Sequence, residues 1–339
     1  MRKVSLFVIT LLVIAFCVVW WYGNKYVLQK PNAKERLVLF VPEGSNFDSV
    51  LQKITPHLED VESFITASEK LNYIKIYPGR YTFEKGTTNK NIIARLKQGE
   101  QDEIEIMIGN YASIYELADK VEPFLATNSK AIVEAISKRP EAEGLDSLQM
   151  IYFLAPNTYR FHWTTSPEDF VEKLAIQYHK YWTDEKKELL QSIGLLEFEA
   201  ITLASLVQLE SYRTDEQPKV AGLYLNRLTI GMKLDADPTV IFVKKLREGW
   251  DKRINRVYYK DLNYASAYNT YKVAGLPPGP ICMPNPSAID AVLNHEKHNY
   301  IFFVADPGNP GYHLYAKTLT EQEKNARVYR KWVEEKGIK

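Results

Sequence analysis

The sequence has little cysteine, almost no net charge and only one long apolar run, and each shortage removes a class of protein. Cys17 and Cys282 are its two cysteines. Cys17 lies inside the apolar N-terminal run, so the two are not expected to pair and the fold needs no disulfide framework. The 43 Lys and Arg nearly balance 42 Asp and Glu, leaving a net charge of +1. No global field therefore draws the chain to nucleic acid, and a nucleic-acid partner is not expected. No G-x-S-x-G elbow offers a serine nucleophile, and no G-x-x-x-x-G-K-[ST] loop could cradle a phosphate. His295-Glu296-Lys297-His298 comes nearest to a metal motif, but its imidazoles stand at i and i+3. The zincin pattern needs them at i and i+4 with Glu between, so that both meet one ion. Neither a metal nor a cofactor is expected.

What is present begins with Val4 to Tyr22, 19 residues without a charge, closed by Trp20, Trp21 and Tyr22. A helix of about 20 apolar residues crosses the hydrocarbon core of a bilayer, and aromatic residues favour its interface. A cleaved signal peptide would close on a small-residue site, and none follows. A lipoprotein would want a small residue before its cysteine, and Phe16 precedes Cys17. The expectation is one uncleaved membrane span, 4–22. Residues 1–3 are then a short stub before the span, and lysines flanking the run on both sides leave its orientation open. Residues 23–36, with Pro31 and Asn32 as breakers, read as a polar tether.

Beyond the tether the pattern is α+β. A short apolar strand at Leu37–Val41, a turn at Pro42–Ser45 and a helix-periodic stretch from Phe47 to Leu58 form one unit. Similar strand, glycine and helix runs occupy Tyr81 to Leu96 and Ile104 to Val121, a weak internal repeat. Residues 128–199 read as mainly helical, with Phe170–Tyr181 and Glu185–Ile193 amphipathic and a turn at Pro156-Asn157.

The stretch Phe198 to Glu210 contains no Gly or Pro. Ala200, Leu203, Ala204 and Val207 recur at helical spacing as one buried stripe, and Glu210 continues it. A carboxylate is costly to bury when charged. Desolvation and a helix C-terminus both favour its neutral form. A carboxyl held protonated near neutral pH is what general-acid catalysis at a glycosidic oxygen requires. The competing reading is a frayed helix end with Glu210 in water. A second helix from Gln217 to Leu228 would follow, with Pro218 in its first turn and Gly231 as its stop. Asp235 and Asp237 then lie in a short loop. The run Gly275-Leu276-Pro277-Pro278-Gly279-Pro280 is a rigid loop, suited to the wall of a cleft or to a structural turn.

Residues Ala204–Val207, Glu210-Ser211, Lys219–Gly222, Asn226–Leu228, Gly231-Met232 and Asp237–Val240 form an ordered set. Tyr268–Tyr271, Gly275–Ile281, Phe303–Asp306 and His313 extend it. The set resembles the signature of the MltG (YceG-like) endolytic transglycosylases over roughly residues 200–330. Pro78–Tyr81 and Leu96–Gly99 are similar to that family's LysM-like module. The resemblance implies a LysM-like module at 37–103 and a mixed α/β catalytic domain at 104–339 with a lysozyme-like catalytic helix. It implies a single-pass inner-membrane enzyme, with residues 1–3 as a cytoplasmic stub and the rest periplasmic, that cleaves peptidoglycan glycan strands between N-acetylmuramic acid and N-acetylglucosamine. The ends left are 1,6-anhydro, and cleavage would terminate nascent strands beside penicillin-binding synthases. The family's catalytic glutamate falls on Glu210. A second glutamate common in relatives is Gln208 here, Asn157 stands where Asp is common, and Lys324 stands where His is common. By resemblance Asn226, Asp237, Tyr268, Asn269 and Tyr271 should lie near Glu210 and contact sugar, while Asn226 and Asp237 could instead brace local turns. Two other readings are a lysozyme-like hydrolase and a non-catalytic wall-binding or division scaffold.

Overall fold

The computed structural model describes residues 2–250, 252–254 and 256–337, with side chains from Thr10 onward. Met1, part of the expected stub, lies outside them, as do Ile338 and Lys339 at the end of the expected catalytic region. The protein is a mixed α+β chain with one apolar N-terminal helix, and it divides into two compact units. Unit 1 comprises Met1–Glu105, Phe124–Ala126 and Arg160–Thr165, and unit 2 the remainder.

Helix α1 spans Arg2–Gln29. Its Thr10–Gln29 stretch is long and apolar enough to cross a membrane, a test that a signal sequence would also meet. The helix does not stop at Tyr22 but continues to Gln29, where Val27 and Leu28 pack against the core of unit 1. Residues expected as a tether are thus partly helix. The next few are bridged into the unit, Pro31 to Thr88 and Ala33 to Leu58. The physical reason is a buried amide network. Asn32 is 1% exposed, donates to Asn89 Oδ1 at 2.7 Å, and accepts the Asp60 N–H at 2.7 Å. Asn89 Nδ2 in turn donates to Val27 O at 2.8 Å. Buried amides this fully partnered fix a single arrangement of the segments they join.

Unit 1 contains β1 (Leu37–Val41), α2 (Phe47–Ile54), α3 (Val61–Lys70), β2 (Gly79–Phe83) and α4 (Asn89–Gln98). Strands β1 and β2 pair antiparallel, with Leu37 opposite Phe83 and Leu39 opposite Tyr81. The period-2 alternation sends Leu37, Leu39, Val41, Tyr81 and Phe83 inward, onto Val50, Ile54, Phe64, Ile92 and Leu96 of the helices. Side-chain caps start the helices, Asn46 for α2, Asp60 for α3 and Thr88 for α4.

Strand β3 (Glu103–Ile108) pairs with β4 (Asn157–His162), so the third strand of the weak repeat joins a different sheet from the first two. Where a turn was expected at Pro156-Asn157, Asn157 is already the first residue of β4. Unit 2 then holds α5 (Ile114–Val121), α6 (Ser129–Ser137), α7 (Pro167–Tyr181), α8 (Asp184–Ser192) and α9 (Glu197–Glu210). After them come α10 (Gln217–Thr229), α11 (Asp237–Glu248), α12 (Pro286–Leu293), the hairpin β5 (Phe302–Ala305) and β6 (His313–Ala316), and α13 (Leu319–Glu335). Helix α9 is the centre of this unit, packed by α10, α11 and α12. It is buried from Ala200 through Val207 on every side rather than along one stripe. An all-round apolar sequence is what a central helix needs. In the hairpin, Ala305 pairs with His313 and Phe302 with Ala316. Gln322 and Asn325 of α13 donate to the backbone oxygens of Phe303 and Tyr315, at 2.9 and 3.4 Å, and hold the hairpin in place.

Candidate active site

Glu210 is the last residue of α9. The helix ends there because Ser211 turns to an extended conformation, φ −133° and ψ 125°, while its N–H still donates to Val207 O at 3.1 Å. The turn that follows is tied to the start of α10. Ser211 Oγ accepts the Arg213 N–H at 3.1 Å, and Gln217 Nε2 donates to Ser211 O at 2.9 Å. These bonds hold the end of a buried helix at one place, so the Glu210 carboxyl is not frayed into water but half-buried.

Tyr224 of α10 donates its phenol to Glu210 Oε2 at 3.2 Å. Burial pushes the Glu210 carboxyl up to about 7. The charge of His313, the Tyr224 bond and the buried Arg227 pull against that shift, and Asp237 adds to it. Desolvation outweighs them, and the carboxyl also stands at the negative end of its own helix, where charge is disfavoured. Near neutral pH, Glu210 can therefore both donate a proton and take one back, as a single group in two roles must.

The surrounding polar groups are themselves held. Arg227 donates to Ile301 O at 2.6 Å and to Leu234 O at 2.5 Å, which joins α10 to the hairpin and to the segment before α11. Glu216, at the start of α10, accepts the His313 N–H at 2.7 Å and faces His313 Nδ1 at 3.0 Å. Burial pushes the Glu216 carboxyl up, but its bonds to His313 and Ser211 prevail and hold it below the ordinary value. The His313 ring packs edge-on to Phe303 with centroids 4.9 Å apart, and Phe303 packs edge-on to Tyr224 at 6.1 Å.

The residues expected around Glu210 fall into two groups. Asp237 opens α11 rather than lying in a loop, with Pro238 in the first turn, and it accepts the Tyr271 O–H at 2.7 Å. Asp237 and Tyr271 are both within electrostatic reach of Glu210. The other three side chains are engaged in holding backbone or filling core. Asn226 Nδ2 donates to His298 O at 2.8 Å and Tyr300 O at 3.0 Å. Asn269 is 0% exposed, donates to Tyr264 O at 2.8 Å and accepts the Tyr271 N–H at 3.0 Å. It thereby shapes the loop that carries Tyr271. Tyr268 is buried with its ring 4.8 Å from that of Phe242. Gln208 Oε1 accepts the Asn285 N–H at 2.5 Å, a structural tie on the helix that carries Glu210.

The rigid loop ends at Ile281, whose N–H donates to Ser205 Oγ of α9 at 3.0 Å. Gly279 packs closely there, since a Cβ would stand 3.0 Å from Gln149 Cγ and 3.2 Å from the Tyr268 hydroxyl, tight contacts that those side chains would have to relieve. Both nitrogens of His298 are taken, Nδ1 by the Tyr300 N–H at 3.1 Å and Nε2 by Lys219 O at 2.9 Å, so this ring is a brace.

No local pattern in the sequence marks out Tyr224 or Glu216. The contact of Glu216 with His313 spans 97 residues. An acid immediately before a Pro-initiated helix was the only local sign of it.

The YceG-like family model matches residues 39–328. An endolytic murein transglycosylase of Bacillus subtilis is 30% identical over 288 residues, covering 85% of this chain and 71% of that one. An endolytic murein transglycosylase of Streptococcus pneumoniae is 26% identical over 351 residues, covering 90% of this chain. The chain spans 61% of the length of that pneumococcal relative. Among solved structures, a protein described as yceG-like from Listeria monocytogenes shares the fold with a TM-score of 0.58 and 22% identity. It covers 86% of this chain and 99% of its own.

Proposed function

The chain belongs to the YceG-like family, and on that premise we propose that it is an endolytic lytic transglycosylase of peptidoglycan with Glu210 as its acid and base. The observation that carries this is the half-buried Glu210 carboxyl, pushed up to about 7 and held by Tyr224. Glu210 protonates the glycosidic oxygen between N-acetylmuramic acid and the following N-acetylglucosamine, and the C1–O bond breaks. The muramoyl 6-hydroxyl then bonds to C1, and its proton passes to Glu210. The strand is cut without water, leaves a 1,6-anhydro end, and returns the enzyme to its starting protonation. The internal hydroxyl gains from proximity, and the substrate's 2-acetamido group steadies charge at C1. Tyr271 and Asp237 line the approach to Glu210. Asn226, Asn269 and Tyr268 position the loops that form it.

In the same reading α1 anchors the chain in the inner membrane with both units on the periplasmic side. Unit 1 acts as a LysM-like module that binds glycan weakly, α9 is the lysozyme-like catalytic helix, and the enzyme trims strands beside penicillin-binding synthases.

Mass spectrometry of sacculi digested with the protein tests the reaction. The expected product is a muramoyl end lighter by one water than a hydrolytic end. Reducing muramic acid as the main product would instead mean a hydrolase, which needs a second carboxylate such as Asp237. No cleavage at all would leave a wall-binding scaffold.

A further inference from the structure

A cavity lies between the end of α9 and the start of α11. It has a volume of about 170 Å³, and Leu209, Pro238, Ile241, Phe242 and Ile281 give it apolar walls. Leu209 directly precedes Glu210 and Pro238 directly follows Asp237. The cavity therefore lies at the C-terminal end of α9, which carries Glu210, and the N-terminal end of α11, which carries Asp237. Cys282 also lines it, but burial pushes that thiol up to about 12, which leaves a neutral wall and not a nucleophile.

Two polar side chains complete the lining, Asn110 and Lys245. The Asn110 amide nitrogen donates to Met283 O at 2.8 Å and to Asn285 Oδ1 at 3.1 Å. Its own Oδ1 remains an acceptor. Lys245 is half-buried and has no carboxylate at ion-pair distance among the described residues, unlike Lys244 beside it, which pairs with Asp261 at 2.7 Å. An ammonium, an amide acceptor and short apolar walls do not match a bare sugar. A 2-acetamido group is neutral and would give Lys245 no counter-charge. A cavity of about 150 Å³ already accommodates benzene, so this one holds more than an acetyl methyl.

We infer that this cavity is a subsite for the peptide that a muramoyl residue carries on its lactyl group. Lys245 receives a carboxylate of that peptide, Asn110 Oδ1 accepts a peptide N–H, and the apolar wall takes small aliphatic side chains. The inference rests on the reading of the chain as a murein-cleaving enzyme and makes peptide-bearing strands its preferred substrate.

The test uses the full chain in detergent on two preparations of one glycan, with peptides intact and with peptides removed by an amidase. Lys245→Gln should raise KM about tenfold on the peptide-bearing strand, the loss expected for a hydrogen bond to a charged group. The same variant should cleave the stripped strand as the wild type does, and Lys245→Arg should recover most of the loss. Equal effects on both strands, or no effect on either, would overturn the subsite while leaving the reaction standing. If the wild type cleaves neither strand, the parent reading fails and the subsite with it.

Discussion

His313 meets Glu216 at two points, the backbone N–H at 2.7 Å from one carboxylate oxygen and Nδ1 at 3.0 Å from the other. This pair links β6 of the hairpin to the first turn of α10, and His313 is the strongest of the influences that hold the Glu210 carboxyl down. Replacing His313 by Gln should therefore move the alkaline limb of the pH–rate profile upward. The variant should also melt earlier, because Glu216 is left buried without its partner. For Glu216 the folded value is lowered. The stability it contributes is present above the unfolded value and lost as pH falls through the folded one. Melting curves of Glu216→Gln should accordingly depend less on pH in the acid range than those of the wild type.

Glu210→Gln should keep the fold and lose cleavage by about 10²- to 10⁴-fold or more, the range for a positioned general acid. In the wild type, kcat/KM should hold below pH 7 and fall about tenfold per unit above it, because the proposed mechanism requires Glu210 to carry its proton. The linked stability has a definite sign. A carboxyl whose folded value is raised stabilises fully below its unfolded value and loses that contribution as pH rises through about 7. The melting temperature of Glu210→Gln should thus gain on the wild type between pH 5 and 8. A constant offset over that range would mean that Glu210 is solvated.

Tyr224→Phe removes the 3.2 Å bond to Glu210 Oε2 and keeps the ring that packs on Phe303. The bond favours the carboxylate, so its loss should raise the alkaline limb, with a stability change of about 1 kcal/mol. Calorimetry and a pH–rate profile on one preparation check both.

Asn269→Ala should destabilise unit 2 by about 1–3 kcal/mol, since it strands buried backbone groups at Leu262, Tyr264 and Tyr271. Activity should fall in step with the melting temperature. Full stability with lost turnover would instead return Asn269 to direct sugar contact.

Gly222→Ala should be costlier. A Cβ at that position would lie 2.3 Å from Glu296 O and 3.0 Å from His298 Nε2. Helix α10 cannot approach the loop before the hairpin with any side chain there, so low soluble yield or a strongly lowered melting temperature is expected.

The sequence made some of this legible and hid the rest for physical reasons. Helix α9 and the first turn of α10 could be read from periodicity, from the absence of Gly and Pro up to Glu210, and from Pro218. The elevated Glu210 could be argued from an acid continuing an apolar stripe. The all-round burial of α9 was not visible, because small residues such as Ser205 and Thr202 read as polar until Ile281 and the helix backbone are seen to satisfy them. The partners of Glu210 come from segments distant in sequence. No local pattern distinguishes a Tyr224 that fills core from one that also donates to a carboxylate. For Asn226 and Asn269, the residues expected at the sugar, a short polar motif in a loop has the same spacing whether its amides face substrate or backbone.

The unbroken run of α1 from its apolar stretch to Val27, where Asn89 holds the helix end, acts as a spacer of fixed pitch. With α1 anchored in a bilayer, each residue added after Gly23 would lift unit 1 by about 1.5 Å and turn it by about 100° about the helix axis. One extra residue should then disorient the unit, whereas seven, about two full turns, should nearly restore its heading. Cellular activity plotted against insertion length would oscillate with the helical repeat, as it would not if the join were slack.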